Sequence, residues 1–169
     1  VAFGARVVRF KGNRLIPLRV TAKRYGPYED VDWTIPPGLT AILGNNLVGD
    51  GANSNGSGKT KLLELVPICL FGPTLPWSEY LTVVTEETIC TVSLEFAHNG
   101  ETYRVRRTYD AKGRGKTTLD FDVSKVDTEV VVNEVEYGQN RVWKPLTRGD
   151  QKDTQALILQ TIGLSESTF

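Results

Sequence analysis

The chain has 169 residues, 40% of them hydrophobic and 24% charged, which suits one globular lobe with enough chain to bury a core. Twenty Lys and Arg balance twenty Asp and Glu, so the formal net charge is zero and any nucleic-acid surface must be a local patch. No apolar run is long enough to span a bilayer, no signal-peptide pattern is present, and the single histidine, His98, argues against a two-metal nuclease.

Val1 to Asn13 fits either a short strand around Val7-Val8-Arg9-Phe10 or an N-terminal extension. Leu15 to Ala22 reads as a strand, with Pro17 near its start or on an edge. Tyr25-Gly26-Pro27-Tyr28 is a turn by its Gly-Pro step. Val31, Trp33 and Ile35 alternate with Asp32 and Thr34, which predicts a second strand with one buried face. Pro36-Pro37-Gly38 then turns the chain into Leu39-Thr40-Ala41-Ile42-Leu43-Gly44, an apolar run that reads as a buried parallel strand.

Asn53 to Thr60, Asn-Ser-Asn-Gly-Ser-Gly-Lys-Thr, reads as a phosphate-binding loop between that strand and a helix beginning Lys61-Leu62-Leu63-Glu64-Leu65. Small residues let the backbone N–H groups of Asn55, Gly56, Ser57, Gly58 and Lys59 curl around phosphate oxygens, and the positive end of the helix faces the same anion. Lys59 would reach the β- and γ-phosphates of ATP, and the Thr60 hydroxyl would hold Mg²⁺. The usual pattern needs a glycine where Asn53 stands. Either Asn53 replaces it, or Gly44 is the first glycine and 45–52 are an inserted surface excursion. The insertion is favoured, because Gly44 directly follows the apolar run. A helix start merely capped by Gly-Lys-Thr is the plainer reading of the same residues.

The helix is expected to bury Leu62, Leu63, Leu65, Val66, Cys69, Leu70 and Phe71, to kink or end at Pro67, and to close at Gly72-Pro73. Cys69 in this helix and Cys90 in a strand pattern lack metal or redox spacing and read as buried thiols in a reducing, cytoplasmic setting. Thr74 to Glu87 reads as a loop with one helical turn. From Thr88 the period becomes two: Val92, Leu94 and Phe96, a turn at His98-Asn99-Gly100, then Tyr103 and Val105 on the partner strand. A second tip follows at Asp110 to Lys116. Leu119, Phe121 and Val123 come next, and further short strands over 129–137 and 141–144 complete an antiparallel meander. Asp150 is placed to cap a last helix, with Asp153 in its first turn and Gly163 at its end.

The ordered set of motifs resembles the N-terminal half of the ATPase head of SbcC-type DNA-repair proteins, relatives of the SMC and ABC ATPases. It is carried by Tyr25-Gly26-Pro27-Tyr28, Pro37-Gly38-Leu39, Asn55-Gly56-Ser57-Gly58-Lys59-Thr60, Leu62-Leu63-Glu64 and Leu70-Phe71-Gly72. Val92-Ser93-Leu94-Glu95-Phe96, Tyr103-Arg104-Val105-Arg106-Arg107 and the tail from Ile162-Gly163-Leu164-Ser165 to Thr168-Phe169 complete it. The resemblance implies an α/β, ABC-ATPase-like half-domain over 1–169: P-loop strand and helix, antiparallel β meander and C-terminal helix. It also implies a C-terminal lobe of the same ATPase, a second head forming a homodimer around ATP, an SbcD-type nuclease subunit and double-stranded DNA as partners. No glutamine loop, signature motif, second acidic strand or coiled-coil heptads occur in the sequence, so this chain alone is expected to hydrolyse ATP weakly or not at all. Lys61 stands where a second hydroxyl residue often contacts the α-phosphate, and it is kept among the nucleotide-binding candidates.

Two stretches imitate the missing acidic strand, Val130 to Glu134 and Leu119-Asp120-Phe121-Asp122, but their acids fall on the wet face of alternating strands. A self-contained P-loop small-molecule kinase or NTPase using Asp120 or Glu134 is the alternative. A non-catalytic nucleotide- or DNA-binding module is a third reading, disfavoured by the intact Lys59 and Thr60. Lys112, Arg114 and Lys116 alternate with Gly113 and Gly115 at the second tip, and Arg104, Arg106 and Arg107 lie on the adjoining strand, where one face would extend a DNA-binding patch.

Overall fold

The computed structural model describes residues 14–44, 58–81, 89–112, 115–124 and 141–164. Six antiparallel strands form one sheet in the order β2-β1-β3-β4-β5-β6: β1 Ile16–Tyr25, β2 Tyr28–Thr34, β3 Ile89–His98, β4 Glu101–Asp110, β5 Lys116–Ser124 and β6 Trp143–Pro145. Two helices among the described residues accompany the sheet in an α/β fold, α1 Lys59–Phe71 and α2 Gln151–Thr161, with a 3₁₀ turn at Trp77–Tyr80. Among the described residues no helix is long and apolar enough to cross a membrane.

Alternation sets the two faces of the sheet. Val20 stands opposite Leu94, Leu94 opposite Val105 and Val105 opposite Phe121, a row of fully buried side chains crossing four strands. Next to it Phe96, Tyr103 and Phe121 stack in sequence, with ring centroids 5.5 Å apart at both steps. Leu65, Ile68, Cys69 and Leu70 of α1 and Ile158 of α2 join the same core cluster. The opposite face alternates charges: Arg19, Glu95, Arg104 and Asp122 are successive cross-strand neighbours.

Turn chemistry fixes the strand order. Asn99 and Gly100 both take positive φ, 50° and 85°, as a two-residue type I′ hairpin requires. At the far end, Asp150 Oδ1 accepts from the Lys152 and Asp153 amides and caps α2. Gly163, with φ 78°, closes α2 in a Schellman motif: its N–H donates to Gln160 O at 3.1 Å, and Leu164 N–H donates to Leu159 O at 2.8 Å.

Two expectations are corrected. The run from Leu39 to Gly44 forms no strand, and Leu39 and Leu43 are 104% and 92% exposed. A strand buried on both faces needs a pairing partner and covering layers, and the described sheet, with β2 and β6 at its edges, supplies neither. Of the kink or end expected at Pro67, the end is not realised, and α1 continues to Phe71. Pro67 and Leu63 lie on the exposed side, so the carbonyl deprived of its helical donor, that of Leu63, is on the solvent side. Leu63 and Phe71 are accordingly exposed rather than buried, while Ile68 takes a core position. The expected strand over 129–137 lies outside the described residues.

Cys69 and Cys90 are both buried and unbridged, and burial pushes each thiol from 9.0 up to about 12. The unfolded chain therefore loses these protons near pH 9 while the folded chain keeps them, and stability falls as pH rises between those values. The slope is up to ~1.4 kcal/mol per pH unit for each thiol. Arg107, lowered by burial from 12.5 to about 10, acts in the opposite sense, but only above pH 10. Urea titrations should show stability declining from pH 9 to 10, with Cys90→Ala declining less steeply, the buried tyrosines adding to the remaining slope toward pH 10. Equal slopes in the two proteins would contradict this origin of the pH dependence.

Candidate nucleotide site

Gly58 occupies the N-cap of α1 with φ 85°, a left-handed conformation that glycine adopts without strain. Gly58 itself brings no capping side chain, and the first helical bond runs from Leu62 N–H to Gly58 O at 3.0 Å. The amides of Lys59, Thr60 and Lys61 thus lie ahead of the hydrogen-bond ladder, at the positive end of a 13-residue helix. Thr60 is exposed and Lys59 half-buried. This donor set fits a phosphate group, and the Thr60 hydroxyl fits a magnesium ligand. Asn55, Gly56 and Ser57 lie outside the described residues.

Lys61 is committed elsewhere. Its ammonium donates to Glu64 Oε2 at 2.9 Å and sits 4.7 Å from the centre of the Tyr80 ring. Helical side chains lean back over the preceding turn, which takes the Lys61 stem across Gly26. The side chain expected to contact the α-phosphate therefore braces the β1–β2 turn, and only its amide faces the helix entrance.

The turn itself is tightly fixed. Arg24 and Gly26 both take positive φ, 52° and 54°, and Gly26 N–H donates to Tyr80 O at 2.7 Å. Tyr25 stacks on Tyr80 with centroids 5.9 Å apart, and its hydroxyl donates to Glu64 Oε2 at 3.4 Å. Burial foremost, reinforced by the Glu64 carboxylate, raises the Tyr25 phenol far above its usual range, so it remains a donor.

At its other end α1 has no basic residue of its own. Gly72 N–H donates to Ile68 O at 2.9 Å, Arg107 Nε to Cys69 O at 3.0 Å, and Gln155 Nε2 to Leu70 O at 2.8 Å. Arg107 also donates to Gln155 Oε1. A buried cation from β4 and an amide from α2 thus cover the negative end of the helix.

This placement removes Arg107 from the expected surface patch, because strand alternation points it into the core with Val105. Arg104 is on the polar face but engaged: it donates twice to Asp122 Oδ2, at 3.0 and 2.7 Å, and lies 4.4 Å from the Trp143 ring centre. Asp122, a candidate magnesium ligand, is therefore the counter-ion of Arg104. Among the described residues no group of three His, Cys, Asp or Glu side chains is arranged to hold a metal. Arg106 stays half-exposed on the polar face opposite Asp120, and Lys112 and Lys116 are exposed at the β4–β5 tip. Arg114 lies outside the described residues, as does Glu134.

Residues 19–166 match a family model described as an AAA domain. The chain belongs to the AAA domain family. This AAA domain is also 32% identical over 118 residues to the SbcC component of the nuclease SbcCD from Deinococcus radiodurans, an alignment covering 68% of this chain and 11% of the relative. The chain spans about one-ninth of the length of that relative. The motif resemblance and this similarity point the same way, and the antiparallel sheet, α1 and α2 of this AAA domain agree with an ABC-ATPase-like half-domain.

Proposed function

We propose that this AAA domain is the ATP-binding N-terminal lobe of the head of an SbcC-type DNA-repair ATPase. The observation that carries the reading is the left-handed Gly58 at the N-cap of α1, which puts Lys59 and Thr60 in the first turn at the positive end of the helix. In it, the amides of Asn55 to Thr60 and the Lys59 ammonium bind the ATP phosphates, and Thr60 contributes to Mg²⁺. Mg²⁺ would supply charge neutralisation between phosphate oxygens. Lys61 contributes its backbone alone.

Solvent-exposed Leu39, Leu43, Leu63 and Leu75 support a lobe that a second segment of the same ATPase covers. Hydrolysis, pairing of two heads and control of a nuclease partner belong to that completed head. The self-contained kinase gains nothing from the fold: the described sheet is wholly antiparallel, without helices crossing between parallel strands. Calorimetry with ATP and Mg²⁺ should show that Lys59→Ala loses about 1.5–3 kcal/mol of binding, as removal of a charge-assisted hydrogen bond to phosphate requires. Unchanged affinity would refute the nucleotide assignment.

Double-stranded DNA is proposed as a second ligand, held without sequence preference by Lys112, Arg114 and Lys116 at the β4–β5 tip, with Arg106 alongside. Lys112 and Lys116 are exposed, whereas Arg104 is already neutralised by Asp122. Replacing the three tip cations with Ala should flatten the slope of log affinity against log salt by about one unit for each phosphate that the variant no longer neutralises. The same affinity and slope in the triple variant would leave the tip as a soluble turn.

A further inference from the structure

We infer that Pro27 and Tyr28, at the β1–β2 turn, are positioning residues for the phosphate loop: they bear on Gly58 and fix the direction of the amides that follow it. The inference rests on the nucleotide reading above. A Cβ built at Gly58 would lie 2.7 Å from Pro27 Cγ, 2.8 Å from Tyr28 Oη and 3.0 Å from Tyr28 Cζ. These are closer than side-chain carbons approach one another, so the proline and the phenol occupy the space in front of the Gly58 α-carbon. Gly58 is needed here twice, for its left-handed φ of 85° and for this close approach.

The approach can steer the loop because the turn is itself braced. Tyr80 O holds Gly26 N–H at 2.7 Å, and a Cβ at Gly26 would meet the Lys61 stem at 3.2–3.5 Å. The Lys61–Glu64 ion pair, the Tyr25 hydroxyl on Glu64 and the stacked Tyr25 and Tyr80 rings lock the same group of residues to the first turns of α1. Gly58 thus sits between the helix it begins and a braced turn. The amides of Lys59 and Thr60 are aimed before any anion arrives, which lowers the ordering cost of binding. The Tyr28 phenol is raised above its usual range by burial, in keeping with a ring packed against the backbone.

A purely structural role for Tyr28 would change stability and leave nucleotide affinity alone, so both are measured on the same chain, by urea unfolding and by calorimetry with ATP and Mg²⁺. Tyr28→Ala should weaken ATP binding about tenfold, while Tyr28→Phe, which keeps the ring, should stay within about threefold of wild type. Gly58→Ala should weaken binding further, and adding Tyr28→Ala to it should cost less than Tyr28→Ala costs alone, because the ring is one of the two groups that collide with the new methyl. Should Tyr28→Ala not fold, Pro27→Ala tests the same packing and should weaken binding about threefold. Wild-type affinity in Tyr28→Ala or in Pro27→Ala, or strict additivity in the double variant, overturns the inference while leaving the nucleotide site standing. A wild-type chain that binds no ATP overturns the nucleotide reading and this inference with it.

Discussion

A buried guanidinium holds the fold together at the point where its three main parts meet. Arg107 leaves β4 for the core, reaches the Cys69 carbonyl at the end of α1 and binds the Gln155 amide of α2. Desolvation works against a cation in that place, and it shows in the lowered pKa of Arg107. What offsets it is the negative end of α1, whose terminal carbonyls would otherwise be buried without donors. Neither of these hydrogen bonds goes to a carboxylate; the helix end is the counter-charge. Beyond Pro67 the last turn of α1 is secured from outside by β4 and α2 as well as by its own ladder.

With its C-terminal end tied to the sheet, α1 has little freedom at the other end. The β1–β2 turn meets Gly58 there, and that turn is carried by the same sheet. One antiparallel scaffold therefore bears on both ends of a single helix. The arrangement suits phosphate recognition, in which the protein supplies oriented dipoles and lets the ligand bring the charge. The polar face of the sheet does the opposite work around Arg19 and Arg104, which are matched by Asp32 and Asp122, so that part of it offers little field to a polyanion. Any DNA binding is displaced toward the tip of the β4–β5 hairpin.

Much of the fold is legible in the sequence because local and tertiary preferences coincide. Val92, Leu94 and Phe96 alternate in sequence and line the core; Asn99-Gly100 can adopt the paired positive φ of its turn; Asp150 and Gly163 cap the helix they flank. Leu39 to Gly44 misleads because an apolar run carries no information about whether a partner strand exists. Pro67 misleads because its cost depends on which side of the helix it lies. The inward turn of Arg107 is available by parity, since it is two residues from Val105, but a run of arginines suggests a surface more strongly than it suggests a core. At the candidate site, Lys59 and Thr60 are legible from the motif. The bracing of Gly58 by Pro27 and Tyr28 is not, because it joins residues about thirty positions apart through a close approach that only glycine permits.

The central claim is that Arg107 secures α1. Amide hydrogen exchange of Leu65 to Leu70, Pro67 excepted, compared with that of β3 in wild type and Arg107→Ala, addresses it directly. The account predicts that α1 loses about 2–3 kcal/mol of protection relative to β3 in the variant, the value of hydrogen bonds from a charged donor. Protection of α1 that falls only in step with β3, or not at all, would contradict it.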